Sequence, residues 1–299
     1  MPKQEIQIEK EEKKIWLNEL LNTIFVFFIL MNPYLELLRP FNCVMAAIAT
    51  VIGYFLVNLN FSFEVILAAV SVFLICGAGQ AINDVYDAKI DAKVDKKKPI
   101  PSKRVSKNNA MYYSIGLFAI GVLVAAAINT SAFIIALVFA FVLLIYASNL
   151  YKVKYIGNIV VALGTAFTFI MGAASAGDIT LLVITFAIIA FFSNMAREIT
   201  KDFEDIKKDT GFKKTLPMIS KRLSKDLVIL YYWISIWLAI AALYLFMLSL
   251  GYLILILLTI YVFIKATMKL VKNDYTKSQI NSKKGMILSL LAYAITIFR

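Results

Sequence analysis

Nine apolar segments recur along the chain, at roughly 41–57, 63–82, 110–128, 131–148, 158–176, 179–196, 227–249, 251–271 and 285–298. A helix needs about 20 apolar residues to cross a bilayer, so the pattern predicts a polytopic, all-α membrane protein with nine spans. The last segment is short for a span. Ahead of the first, residues 1–14 are polar and of mixed charge. Residues 15–31 are apolar but interrupted by Asn18, Glu19 and Asn22, and Pro33 follows them. That stretch reads as an amphipathic helix lying on the membrane surface. The expected organisation is an N-terminal polar segment and interfacial helix over 1–36, then a nine-helix membrane domain over 37–299.

The connections alternate between two kinds. Those at 58–62, 129–130, 177–178 and near 250 are very short and contain no Lys or Arg. Those at 83–109, 149–157, 197–226 and 265–284 are longer and carry 8, 2, 9 and 6 basic residues. With the N-terminal 40 residues they hold every Lys and Arg except Arg299. The positive-inside rule therefore expects the N-terminus and all long connections in the cytoplasm, and the C-terminus outside. This accounts for most of the formal net charge of +12 without invoking nucleic acid.

Composition narrows the chemistry. The chain is 61% hydrophobic and 17% charged, which excludes a soluble enzyme, a disordered protein and a secreted disulfide scaffold. It contains no histidine, which removes imidazole acid–base catalysis and His-ligated zinc or haem. Cys43 and Cys76 both lie inside apolar runs and read as small buried hydrophobes.

Nine of the 19 acidic residues fall in two short stretches, each beginning where an apolar segment ends: Asp84, Asp87, Asp91 and Asp95, and Glu198, Asp202, Glu204, Asp205 and Asp209. At about 100° per residue, Asp87, Asp91 and Asp95 lie at about −60°, −20° and +20° from Asp84. From Asp202, Glu198, Asp205 and Asp209 lie at about −40°, −60° and −20°, and Glu204 at about 200°. One spacing thus occurs twice. Like charges stacked on a helix face are unfavourable. A divalent cation relieves that repulsion, and carboxylates without His or Cys select a hard ion, Mg²⁺ above all. Mg²⁺ favours one or two carboxylates together with phosphate oxygens, so two such faces would bind a diphosphate. Lys98, Arg104, Lys152, Lys154, Arg197 and Lys201 are candidate phosphate partners. Asn83 is either a neutral oxygen ligand or a helix cap.

These residues resemble the UbiA superfamily of intramembrane prenyltransferases. The first motif, NDxxDxxxD, reads here Asn83-Asp84-Val85-Tyr86-Asp87-Ala88-Lys89-Ile90-Asp91, and the second is carried by Asp202, Asp205 and Asp209. The likeness runs from Arg39-Pro40-Phe41-Asn42, similar to an RPxN start of the first span, to the last span. Arg197-Glu198-Ile199-Thr200-Lys201-Asp202-Phe203-Glu204-Asp205, with Thr215-Leu216-Pro217, is similar to the archaeal digeranylgeranylglyceryl phosphate synthase branch. So are Gly157-Asn158 and the run from Lys98 to Ser106. In that run Lys98 stands for the branch's usual Arg and Lys103 for its Gly, and Asp95 stands for a usual Asn.

The resemblance implies nine helices around a central cavity with a cytoplasmic polar cap and a lateral opening to lipid. It implies Mg²⁺ held by Asp84, Asp87, Asp91, Asp202, Asp205 and Asp209. It implies substrate contacts at Asn42, Asn83, Arg104, Lys152, Arg197 and Lys201. The implied reaction moves a geranylgeranyl group from its diphosphate to the sn-2 hydroxyl of geranylgeranylglyceryl phosphate, a lipid phosphate in the bilayer. An aromatic acceptor is the alternative within the superfamily. A CDP-alcohol phosphotransferase would need Gly where Ala88 stands. A divalent cation transporter would carry its carboxylates within the spans, and these lie at span ends.

Overall fold

The computed structural model describes residues 32–150, 154–211 and 214–298. The interfacial helix expected over 15–31 lies outside the described residues. Nine long helices form among the described residues, one on each apolar segment: α1 (Pro40–Phe55), α2 (Phe63–Val94), α3 (Lys107–Ala126), α4 (Thr130–Ile145), α5 (Lys154–Ser175), α6 (Leu181–Glu204), α7 (Lys221–Leu245), α8 (Leu250–Val271) and α9 (Tyr275–Ile295). Seven of them, α2 to α8, are long and apolar enough to cross a membrane, α4 with its helical continuation to Ser148. The two others flank this set. α1 has 16 residues, and α9 begins with a polar half.

Two helices extend well beyond their apolar runs. α2 continues from 82 to Val94, so most of the first acidic stretch is helix and not loop. The segment 83–94 contains neither Gly nor Pro and includes Ala88 and Ala92, strong helix formers. α9 starts at Tyr275, ten residues before its apolar segment, but the added residues are polar and lengthen the helix without lengthening its apolar run. Three of the short connections end in side-chain caps, by Asn129, Thr180 and Ser249. Asn129 Oδ1 accepts from the Ala132 N–H at 2.8 Å, and its Nδ2 donates to the Ala174 carbonyl at 2.9 Å, tying the α3–α4 turn to the end of α5.

A short helix, Pro33–Leu38, precedes α1 and straddles the expected boundary at 36. Asn32 caps it, and its Leu37 is buried with Ala81 and Val85 of α2. Arg39 joins it to α1 in a left-handed conformation at φ 49°, and Pro40 then starts α1. Cys43 is buried and donates to the Leu38 carbonyl at 3.1 Å.

The nine helices form two four-helix units, α2–α5 and α6–α9, with α1 packed on α5 and α2. Each unit opens with the helix that carries an acidic stretch at its C-terminal end. Helices in lipid gain little from the hydrophobic effect and rely on close packing of small residues. α1 and α5 show this most clearly: a Cβ placed on Gly53 would stand 2.3 Å from the Phe169 carbonyl oxygen, and one on Gly172 2.0 Å from that of Thr50. In the second unit Phe186 stacks on Tyr293 at 4.1 Å between ring centroids and on Tyr252 at 6.0 Å, joining α6, α8 and α9.

Candidate functional site

A cavity of about 810 Å³ lies among α1, α2, α4, α5, α6 and α9. Its inner walls are mainly apolar, with Ile75, Phe139, Phe167 and Leu290 among them, interrupted by Thr165, Thr168 and Asn194. The end near the last turns of α2 and α6 is polar, lined by Asn42, Asn83, Asp87, Asn158, Asp202, Asp205 and Asp209 together with Lys98, Arg197, Lys201 and Lys283.

The acidic face of α2 is not aimed straight into this space. Cys76, Gln80, Asn83 and Asp87 line the cavity, a face centred about 70° from Asp84. Asp84 and Asp91 sit on its flank, buried at 6% and 1% exposure. Arg39 Nη2 donates to Asp84 Oδ1 at 2.6 Å, and Lys98 Nζ donates to Asp84 Oδ1 at 3.2 Å and to Asp91 Oδ2 at 2.7 Å. Burial disfavours the Lys98 ammonium, but Asp84 and Asp91 outweigh that penalty and its pKa lies above the ordinary lysine value. Asn83 lies in the middle of α2 and therefore does not cap it. Asp95 leaves the group altogether. The helix ends at Val94, and the Asp95 carboxylate is exposed and accepts from the Lys97 N–H at 3.2 Å.

On α6, Asp202 is buried and accepts from Asn158 Nδ2 at 2.9 Å. The helix breaks at Asp205, and a further turn, Ile206–Asp209, follows. Asp209 N–H still donates to the Asp205 carbonyl at 2.9 Å, so the three aspartates keep their helical spacing across the break. Arg197 pairs with its neighbour Glu198. Glu204, expected on the far side, is exposed and accepts from Thr276 of α9 at 2.9 Å.

The candidate cations divide. Arg197 and Lys201 line the cavity. Arg104 does not: its Nη1 stands 2.7 Å from Glu36 Oε2 and its Nη2 donates to the Lys97 carbonyl at 2.6 Å, holding the 95–106 connection against the Pro33–Leu38 helix. Lys152 lies outside the described residues. Sequence reasoning passed over three groups. Arg39 precedes a proline and reads as a span boundary. Lys283 sits among basic residues that topology already explains. Asn158 was visible only as part of a Gly-Asn match.

Among the described residues, no three carboxylate or thiol side chains converge into a ready-made metal cage. The donor chemistry nonetheless fits Mg²⁺. Asp87, Asp202, Asp205 and Asp209 front one end of one cavity, and Mg²⁺ characteristically takes one or two carboxylates and completes its shell with phosphate oxygens and water. Lys98 and Arg39 balance the flanking carboxylates of Asp84 and Asp91. Lys98→Met should therefore lower the thermal midpoint measured in chelator, and Mg²⁺ should recover part of the loss. An unchanged midpoint in chelator would contradict this balance.

The profile of the UbiA prenyltransferase family matches residues 46–291. A digeranylgeranylglyceryl phosphate synthase from Methanosphaera stadtmanae is 32% identical over 271 residues, covering 89% of this chain and 99% of that one. One from Methanococcus maripaludis strain S2 is 42% identical over 184 residues, covering 60% of this chain and 65% of the relative, just under two thirds of its length. A solved structure reported for digeranylgeranylglyceryl phosphate synthase superposes with a TM-score of 0.75 at 29% identity, over 90% of this chain and 98% of that one. A UbiA homologue from Archaeoglobus fulgidus bound to GPP and Mg²⁺ shares the fold, with a TM-score of 0.68 at 19% identity over 88% of this chain and 100% of that one. The profile match spans most of the nine-helix domain and both acidic helices, and the chain belongs to the UbiA prenyltransferase family.

Proposed function

We propose that the protein transfers a geranylgeranyl group from geranylgeranyl diphosphate to the sn-2 hydroxyl of geranylgeranylglyceryl phosphate, the step made by digeranylgeranylglyceryl phosphate synthases in archaeal ether-lipid synthesis. The observation that carries this reading is one cavity that is apolar for most of its depth and gathers carboxylates from α2 and α6, with cations, at one end. Such a space suits a prenyl chain below and a diphosphate above. The relatives of known name and the Arg197–Asp205 segment favour a lipid phosphate as acceptor.

Asp87, Asp202, Asp205 and Asp209 would hold Mg²⁺, which when bound neutralises charge on the diphosphate. The remaining work falls to the chain. Asn158 holds the Asp202 carboxylate toward the cavity, and Arg39 and Lys98 fix Asp84 and Asp91 behind Asp87. Lys98 and Arg39 stand beside the α2 aspartates, where negative charge grows on the diphosphate as its C1–O bond breaks. The apolar walls keep water from the allylic cation. The acceptor hydroxyl oxygen then bonds to C1 and gives up its proton, and diphosphate leaves.

The test offers purified protein, Mg²⁺ and geranylgeranyl diphosphate to geranylgeranylglyceryl phosphate and to 4-hydroxybenzoate in parallel. Product from the lipid phosphate is the expected result. Product from the aromatic acid alone would keep the family and overturn the acceptor. The same reading sets the polar end of the cavity on the cytoplasmic side, with the N-terminus there and the C-terminus outside, on the distribution of Lys and Arg. Cysteines introduced at Lys107 and Lys221 should react with an impermeant reagent only in opened cells, and one at Asp178 in intact cells. Labelling of Lys107 from outside would reverse the orientation.

A further inference from the structure

α9 contributes Lys283, Met286, Ile287, Ser289, Leu290 and Tyr293 to the cavity, a largely apolar helical stripe with its one charge at the polar end. The rotation of α9 is set from its other side. Ser278 donates to the Ala266 carbonyl of α8 at 2.8 Å, and Ser282 is hydrogen-bonded to the Tyr232 hydroxyl of α7. These contacts turn Ser278 and Ser282 away from the cavity and bring Lys283 toward it.

On α6, Arg197 and Lys201 lie on a different flank from Asp202, and Glu204 shares theirs. With Asp202 at 0°, Lys201 lies at about −100°, Arg197 at about −140° and Glu204 at about −160°. Glu204 is bonded to Thr276 of α9, so α9 stands on the flank that bears Arg197 and Lys201. Asp202, on the opposite flank, is bonded to Asn158 of α5. The Lys283 ammonium accordingly lies in the repulsive field of Arg197 and Lys201, offset in part by Glu204 and Glu198. On the α2 side, Arg39 and Lys98 are engaged by Asp84 and Asp91. Arg197, paired with Glu198, Lys201 and Lys283 thus line the cavity together on the α6 and α9 side, beside a largely apolar stripe. Like charges assembled in this way favour an anion, and a chain continuing from that anion finds Met286, Ile287 and Leu290 below it.

We propose that Lys283, with Lys201 and Arg197, binds the phosphate monoester of the acceptor, and that the α9 stripe carries the first part of the acceptor's chain. This rests on the lipid-phosphate reading above. It separates two anion subsites, one for the donor between the aspartates and one for the acceptor between α6 and α9. Lys283 is then the residue that distinguishes a phosphorylated acceptor from its alcohol.

The experiment measures steady-state kinetics of the full chain in Mg²⁺ with geranylgeranyl diphosphate, using geranylgeranylglyceryl phosphate and its dephosphorylated alcohol as acceptors. K283M should raise the KM for the phosphate acceptor by about 10-fold or more, leave the donor KM within about 2-fold, and shrink the preference for phosphate over alcohol by a similar factor. K283R should restore most of that preference. Lys284→Met, an exposed neighbour off the stripe, should change neither constant. If K283M does not fold, K283Q makes the same comparison. A folded Lys283 variant that keeps the wild-type preference, or loses donor and acceptor affinity equally, overturns this inference while leaving the proposed reaction standing. A wild-type protein that does not prenylate the phosphate acceptor overturns both.

Discussion

Asp87→Ala and Asp202→Ala should each reduce turnover by at least about 10²–10³-fold, the loss typical of removing one preorganised electrostatic group from a reaction that builds charge. Asp87 fronts the cavity on α2, and Asp202 fronts it from α6. The two carboxylates arrive from helices that open different four-helix units, so neither can substitute for the other by a rotamer change. Glu204→Ala is the matched control. It removes a carboxylate of the same stretch that is bonded to Thr276 on the other side of α6, and turnover should stay within about 2-fold, as for most surface changes. A chelator should silence the wild-type enzyme and Mg²⁺ should restore it, with thermal midpoints reported for every variant to separate lost chemistry from lost fold. Full turnover in chelator, or equal damage from Glu204→Ala, would remove the argument from helix faces.

Gly172→Ala should be among the most destabilising single substitutions in the chain. The added Cβ would stand 2.0 Å from the Thr50 carbonyl oxygen and 2.7 Å from the Tyr54 nitrogen, both backbone atoms of α1. Neither can turn aside as a side-chain tip would, so α1 has to move off α5. Overpacking of this kind costs about 1–3 kcal/mol, and a clash with backbone belongs at the upper end or beyond. Gly116→Ala provides the contrast within the same protein. Nothing lies within 4 Å of its added Cβ, and α3 should gain about 0.5–1 kcal/mol from the better helix former. Thermal midpoints in one detergent would compare the pair, and a tolerated Gly172→Ala would show that the α1–α5 seam is looser than described.

Hydropathy located every long helix because lipid-facing and core-facing positions are both apolar in a membrane protein, which makes the runs continuous. It misjudged ends where helices leave the apolar phase. α2 runs on to Val94 and α9 begins at Tyr275, since helix formation there follows propensity and packing more than hydrophobicity. The repeated aspartate spacing identified both acidic helices, but a helical wheel gives phase without saying which phase faces the cavity. Asp84 and Asp91 therefore turned out to lie behind Asp87. Asp95 was assigned by extending the wheel beyond the last helical residue. The cations were least legible. Arg39 reaches Asp84 across 45 residues through a left-handed turn, and Arg104 is taken up by Glu36, relations that only tertiary packing creates. A basic loop residue looks the same in the sequence whether it sets orientation or touches a ligand.

The glycine seam between α1 and α5 also sets an order of assembly. α1 has 16 residues and so spans about 24 Å, short of the roughly 30 Å hydrocarbon layer. Its seat on Gly172 emerges from the ribosome only with α5, four helices later. At ordinary elongation rates α1, already packed on α2, waits on the order of 10 s for the second helix that holds it. Arg39, bonded to Asp84, can take its place as soon as α2 follows, whereas the face of α1 that meets α5 is completed last.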